Sequence, residues 1–257
     1  MGYYEDYLRV YLVAGTETCL SGGHSLLEVV HSAADAGVTS IQLREKNRQG
    51  VTYDAGDFFR NAVQVSEFLR KFEHERGVRP AFFINDRVDV ALSLMIAGEI
   101  CDGVHIGQSD LEPALVREMF RHSGFETALV GISCRNEEVL INAAESFKRG
   151  DVNYVGTGPV HTTQSKPNMP AGLGYERWGQ LRQFAKERDK DMPVVAIGGI
   201  TPKDAVPLKS QGADGYCCIS WITEAADPYQ NARELVDAWC ERPGGKNVPE
   251  NEEGVQI

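Results

Sequence analysis

The chain has 257 residues, of which 42% are hydrophobic and 25% charged, and a formal net charge of −11. That composition supports a sizeable core without disulfide or metal staples. The acidic balance excludes nonspecific binding to nucleic acid or anionic membrane, which needs a basic face, but leaves small anionic substrates open, since a few cations in one pocket outweigh the global field. The six cysteines, at 19, 101, 134, 217, 218 and 240, form no C-x-x-C pair and read as reduced, buried small hydrophobes. Residues 1–6 are acidic and lack the basic and apolar regions of a signal peptide, and no apolar run is long enough to span a membrane. The expectation is a cytoplasmic protein that binds neither nucleic acid nor membrane; its oligomeric state is left open, a homo-oligomer included.

Short β-rich apolar runs alternate with amphipathic helical stretches from end to end. In chain order, a strand is predicted at 8–14 and a helix at 26–36, then a strand at 39–43 and a helix at 58–72. Strands at 81–84, 103–106 and 128–132 are followed by helices at 88–97, 113–120 and 137–148. Strands at 153–156, 193–197 and 215–219 precede helices at 175–185, 204–209 and 228–240. Strict alternation implies parallel pairing with right-handed crossovers. A doubly wound open sheet fits alternation too, but eight units at this length favour a single α/β domain of the (β/α)8 TIM-barrel type over residues 1–242. Two segments read as additions to the barrel. Residues 74–79 are charged and extend the second predicted helix or its loop, and residues 243–257 read as a disordered polar tail.

In such a barrel, chemistry belongs at the carboxyl ends of the strands. The second strand ends abruptly in Gln42, Leu43, Arg44, Glu45 and Lys46; Arg44 offers a planar fork for phosphate and Lys46 a point charge. Asn85 and Asp86 end the third strand, and Asp110 follows the fourth. Two carboxylates on adjacent strands suit Mg²⁺ completed by substrate phosphates and water, although Asp110 alone reads better as a helix cap and Asp86 could likewise cap the next helix. Ser133, ending the fifth strand, has no sequence-adjacent base and reads as a hydrogen-bond donor to a ligand. After the sixth strand, Thr163, Ser165 and Lys166 lie in a long polar loop of the kind that closes over a site. Gly198 and Gly199 after the seventh strand, with Ile219 and Ser220 at the end of the eighth, match the place where barrels bind phosphate through backbone N–H groups. His105 and His161 lie near the rim and read as satisfied structural histidines.

Taken together, QLREK at 42–46, Asn85-Asp86, HIGQSD at 105–110, Gly131-Ile132-Ser133, 156–166, AIGGI at 196–200 and 213–220 closely resemble the thiamine phosphate synthase family. The match runs in order over nearly the whole barrel. The resemblance implies a Mg²⁺-dependent transferase that joins a hydroxymethylpyrimidine diphosphate to a thiazole phosphate and releases pyrophosphate. It implies that Gln42, Arg44, Lys46, Asn85, Ser133 and Lys166 bind the pyrimidine diphosphate and that Asp86 and Asp110 bind Mg²⁺. Thr163, Ser165, Gly199, Ile219 and Ser220 would bind the thiazole phosphate. The family's pathway is dissociative, so charge stabilisation and positioning by Arg44, Lys46, Ser133 and Lys166 matter more than an acid–base pair.

Three departures stand out: Ser165 where the family commonly has Thr, Thr162 where Pro is frequent, and Arg135 where His is frequent. None removes a named ligand. The nearest alternative is a thiazole tautomerase of the same barrel superfamily, which resembles the chain poorly at the metal and diphosphate positions. A non-catalytic ligand-sensing paralogue is the other; it would be expected to lose a diphosphate or metal residue, and none is lost.

Overall fold

In the computed structural model, the residues described are 2–3, 6–46, 51–162 and 171–240. The segment expected to form the tail lies outside them, as do Thr163, Ser165 and Lys166. Eight strands alternate with helices: β1 (Val10–Ala14), β2 (Ser40–Leu43), β3 (Ala81–Asn85), β4 (Gly103–Ile106), β5 (Leu129–Cys134), β6 (Tyr154–Thr157), β7 (Val194–Ile197) and β8 (Gly215–Cys218). They pair in parallel, each with its sequence neighbour, and β1 pairs with β8 to close the barrel. The open-sheet alternative is thereby excluded.

The outer ring comprises α1 (Thr16–Ser21), α2 (Leu26–Ala36), α3 (Ala55–Arg76), α4 (Val88–Ile96), α5 (Pro113–His122), α6 (Glu137–Arg149), α7 (Gly174–Arg188), α8 (Ala205–Ser210), α9 (Ser220–Thr223) and α10 (Pro228–Cys240). Their boundaries follow local chemistry. Ser25 accepts from the Glu28 N–H while Glu28 accepts from the Ser25 N–H at 2.7 Å, a reciprocal cap that starts α2. Asp54 accepts from Asp57 N–H and starts α3 three residues before the predicted helix. Two short helices, α1 and α9, were not expected. The first has a clear cause in Glu45, whose almost fully buried carboxylate accepts from the Thr16 N–H at 3.0 Å, the Thr16 hydroxyl at 2.7 Å and Asn61 at 2.9 Å. The middle residue of the charged 44–46 run is thus structural. It ties the end of β2 to α1 and α3.

Strand alternation divides the core. Tyr11, Val13, Phe83, Leu129, Tyr154, Val195 and Cys217 pack together inside the barrel, whereas Leu12, Ile84, Val130, Val155 and Cys218 pack between strands and helices. Adjacent Cys217 and Cys218 therefore face opposite ways, and none of the six cysteines is in a disulfide.

The 74–79 segment corrects the sequence reading. Residues 74–76 do extend the helix, which stops at Gly77, but Arg79 is no surface addition. It is 6% exposed and forms a two-pronged bond to Asp102, at 2.6 and 2.9 Å, and a third bond to Glu73 at 3.1 Å. Asp102 also accepts from the Phe82 N–H at 2.7 Å, so the pair closes the amino-terminal end of the barrel between β3 and β4. A sequence window shows the charge of residue 79 but not its partner 23 positions away. Removing one member leaves the other charge buried and uncompensated, at a cost of about 3–5 kcal/mol. Arg79→Ala is therefore expected to lose that much stability in urea unfolding, far more than the exposed Arg121→Ala; equal losses would show that the buried pair is dispensable.

Candidate active site

At the carboxyl rim, β2 and β3 deliver a compact set of charges. Lys46 donates to the Asp86 carboxylate in a half-buried ion pair. Arg44 is buried beneath it; loss of water pulls its pKa below the usual value, and the Asp86 charge opposes that shift. Asp86 adopts a left-handed backbone, with φ 61°, and its N–H donates to the His105 carbonyl at 2.8 Å. Asp and Asn bear that conformation better than other residues with a Cβ. Asp110 turns back to accept from the Gly107 N–H at 2.7 Å. Burial raises its pKa first, the Gly107 bond opposes this, and the adjacent Asp86 carboxylate raises it further.

The helix-cap explanation fails for both acids. The residues before α4 and α5 are Arg87 and Glu112, and neither helix start is capped by a side chain. Two carboxylates from adjacent strands instead meet beside two cations. Among the described residues no group of three or more His, Cys, Asp or Glu could hold a metal. An oxygen-only pair completed by phosphate and water still fits Mg²⁺, which commonly takes one or two carboxylates.

The charged set opens onto a cavity running down into the barrel, enclosing about 940 Å³ including its mouth. Gln42, Arg44, Asn85, Ser133, Gly199, Ile219 and Ser220 all line it. So do Tyr11, His105 and Tyr154, which the sequence reading did not place in the site. These floor residues form a continuous hydrogen-bonded row. Gln42 Nε2 lies 2.9 Å from the Tyr11 hydroxyl, which lies 2.9 Å from that of Tyr154; His105 Nδ1 is 3.1 Å from Tyr154, and its Nε2 is 3.0 Å from the Ser133 hydroxyl. Gly131 makes the row possible. A Cβ there would stand 2.2 Å from the Tyr154 ring and 2.6 Å from His105 Nδ1.

On the opposite wall, Gly198 and Gly199 take φ of 105° and 65°, and Cβ atoms would collide with Pro159 and His161. The turn is anchored by Asp204. One carboxylate oxygen accepts from His161 Nε2 at 2.6 Å and from the Tyr175 hydroxyl, and the other from the Thr201 N–H at 2.7 Å and its hydroxyl at 3.0 Å. His161 N–H donates to the Gly198 carbonyl at 3.0 Å. Asp204 thus joins the residues after β7, the exit of β6 and the start of α7. His161 is satisfied, as expected, but its partner was invisible in sequence because it lies 43 residues away.

A sequence profile described as thiamine monophosphate synthase matches residues 10–222. The thiamine-phosphate synthase of Streptococcus suis (strain 98HAH33) is 34% identical over 230 residues, covering 90% of this chain and 88% of that protein. That of Syntrophomonas wolfei is 36% identical over 234 residues, covering 91% and 97%. Among solved structures, a thiamine phosphate pyrophosphorylase from Pyrococcus furiosus superposes with a TM-score of 0.69 at 26% identity, covering 91% and 96% of the two chains. A 3-hexulose-6-phosphate synthase, at 16% identity and a TM-score of 0.61, shares the fold.

The Asp204 anchor carries a pH signature. Burial would raise its pKa, but the bonds from Tyr175, His161 and Thr201 outweigh burial and hold it below the usual value. The stability it contributes is therefore complete above the unfolded-state pKa of about 3.9 and is lost as pH falls through the lower folded value. Asp204→Asn should melt below the unaltered protein at pH 7, and the gap should narrow as the pH falls below about 4. A gap that stays constant would show that the carboxylate charge does not hold the anchor.

Proposed function

This chain belongs to the thiamine monophosphate synthase family and is a transferase that makes thiamine phosphate, and from that premise we propose how its cavity does so. The substrates are a pyrimidine diphosphate, bound by Gln42, Arg44, Lys46, Asn85, Ser133 and Lys166, and a thiazole phosphate, bound by Thr163, Ser165, Gly199, Ile219 and Ser220. Residues 1–242 form the catalytic domain, acting in the cytoplasm. The observation that carries this reading is the meeting of Lys46, Asp86 and Asp110 next to Arg44, which lines a cavity whose other wall is the Gly198–Gly199 turn.

The reaction breaks the C–O bond between the pyrimidine methylene and its diphosphate, and the electron pair leaves with the diphosphate. The thiazole nitrogen lone pair then forms the C–N bond to that methylene, giving thiamine phosphate and pyrophosphate. Negative charge grows on the departing diphosphate. Arg44 is already desolvated, so its positive charge acts through a medium less screened than water. Its planar fork suits phosphate oxygens, and Lys46 adds a mobile point charge. Mg²⁺ held by Asp86 and Asp110 would neutralise further charge on the same leaving group. No general base is required, because the thiazole nitrogen carries no proton to remove. At the far wall, the glycine turn lets backbone N–H groups approach the thiazole phosphate closely. The two anions are thereby held apart while the reacting carbon and nitrogen are brought together.

A thiazole tautomerase, by contrast, has no departing diphosphate and would leave the Arg44–Lys46–Asp86–Asp110 set without a task. The test is pyrophosphate release from both substrates, with and without Mg²⁺. Release is expected only when both substrates and the metal are present. Asp86→Asn, which tolerates the left-handed backbone, should lose Mg²⁺-dependent turnover with an unchanged circular dichroism spectrum. Metal-independent release, or full activity in Asp86→Asn, would overturn the metal assignment; isomerisation of a carboxylated thiazole phosphate without release would favour the tautomerase.

A further inference from the structure

The row along the cavity floor has a direction that follows from counting protons. Each tyrosine hydroxyl carries one proton, and a neutral imidazole carries one N–H. Gln42 presents its amide nitrogen to Tyr11, so Tyr11 accepts at that link and has its own proton for the next. Among the described residues the hydroxyl bonded to it is that of Tyr154, which accepts from Tyr11 and in turn donates to His105 Nδ1. The imidazole proton then sits on Nε2 and points to the Ser133 oxygen. With that oxygen accepting from His105, the Ser133 proton is turned away from the row, and no acceptor for it is present among the described residues. Ser133 lines the cavity.

We propose that Gln42, Tyr11, Tyr154 and His105 form a one-way hydrogen-bond relay that holds His105 as the Nε2–H tautomer and commits Ser133 to donate to an acceptor atom of the pyrimidine diphosphate. Tyr11, Tyr154 and His105 are positioning residues that act through Ser133. The relay deepens the synthase reading and rests on it for the ligand's identity.

Several independent features fit this role. Tyr11 and Tyr154 are at most 2% exposed, so water cannot supply alternative partners that would let the row reverse. Burial drives both phenol pKa values well above the usual value, which keeps both protons in place at neutral pH. Their rings are fixed by packing, with centroids 6.1 Å apart and Phe83 at 5.5 and 5.7 Å from Tyr11 and Tyr154. An arrangement of this kind lets one wall discriminate by hydrogen-bond polarity. A ligand with a donor where Ser133 donates would meet two protons face to face and be rejected.

The test reads the tautomer directly. In protein carrying ¹⁵N-labelled histidine, the His105 signals are assigned by their absence in His105→Gln. The ligand-free protein should show His105 protonated at Nε2 only. Tyr11→Phe, which leaves the Tyr154–His105 contact intact but cuts the row one residue earlier, should convert that signal to a mixture of tautomers. Tyr154→Phe should do the same. It should also raise KM for the pyrimidine diphosphate roughly tenfold, the weight of one neutral hydrogen bond, and leave KM for the thiazole phosphate within about twofold of its original value. An Nδ1–H tautomer in the unaltered protein overturns the relay. A signal unmoved by Tyr11→Phe in a folded protein overturns its length. A shifted tautomer with unchanged KM overturns the role of Ser133. If the tautomer behaves as expected but no pyrophosphate is released from the two substrates, the relay stands and the synthase reading fails.

Discussion

A closed barrel of eight parallel strands must fill its own interior, and here it does so partly with side chains that cannot be left unsatisfied. Tyr11, Tyr154, Gln42 and His105 reach the space that Val13, Phe83, Leu129 and Val195 share, and each polar atom has to find a partner within that confined volume. The row from Gln42 to Ser133 is the solution. It depends on Gly131, where any side chain would displace Tyr154 or His105. The floor of the candidate site is therefore also part of the core. A change that loosens packing around Phe83 would disturb hydrogen bonding that faces the ligand.

Above that neutral floor the chemistry is segregated by charge. The protein as a whole is acidic, yet Arg44 and Lys46 are concentrated where β2 ends, and the Asp86 carboxylate faces both. Arg44 alone in a buried place would carry a large desolvation cost; Asp86 offsets part of it. Under the proposed function, the same balance would leave the carboxylates able to serve a cation and the cations able to serve an anion, should a metal and a diphosphate arrive together. Glu45, between the two cations in sequence, is kept out of this exchange because three donors on α1 and α3 hold it.

The eight strands were legible because parallel strands buried on both faces read as short apolar runs, and because Gly stops such as Gly37 and Gly98 are local signals. The rim residues were legible for a related reason, since each lies where an apolar run ends. What sequence could not show was pairing across distance. Arg79 looked like one more surface charge until Asp102 was seen against it, and Asp204 looked like the first residue of a helix. Tyr11 and Tyr154 were read as ordinary strand residues, because nothing in one strand reveals what stands across a barrel. Asp110 alone read better as a helix cap than as a ligand in sequence, and Asp86 could cap as well; the cap positions went to Arg87 and Glu112. Thr163, Ser165 and Lys166, read from the polar loop after the sixth strand and from the family resemblance, lie outside the described residues.

The separation of a charged rim from a neutral, direction-fixed floor suits a reaction whose difficulty is losing a leaving group rather than moving a proton. On the proposed dissociative pathway, a carbocation centre formed beside a strong base or an imidazolium would be captured or destabilised before the thiazole nitrogen reached it. A floor in which every proton is already committed offers neither hazard. His105 then matters for what it does not do: bonded at both ring nitrogens, by Tyr154 and Ser133, it has no lone pair turned to the substrate. The histidine that lines the cavity is thus held out of acid–base chemistry by the same tyrosines that fill the barrel, so packing and selectivity rest on one set of residues.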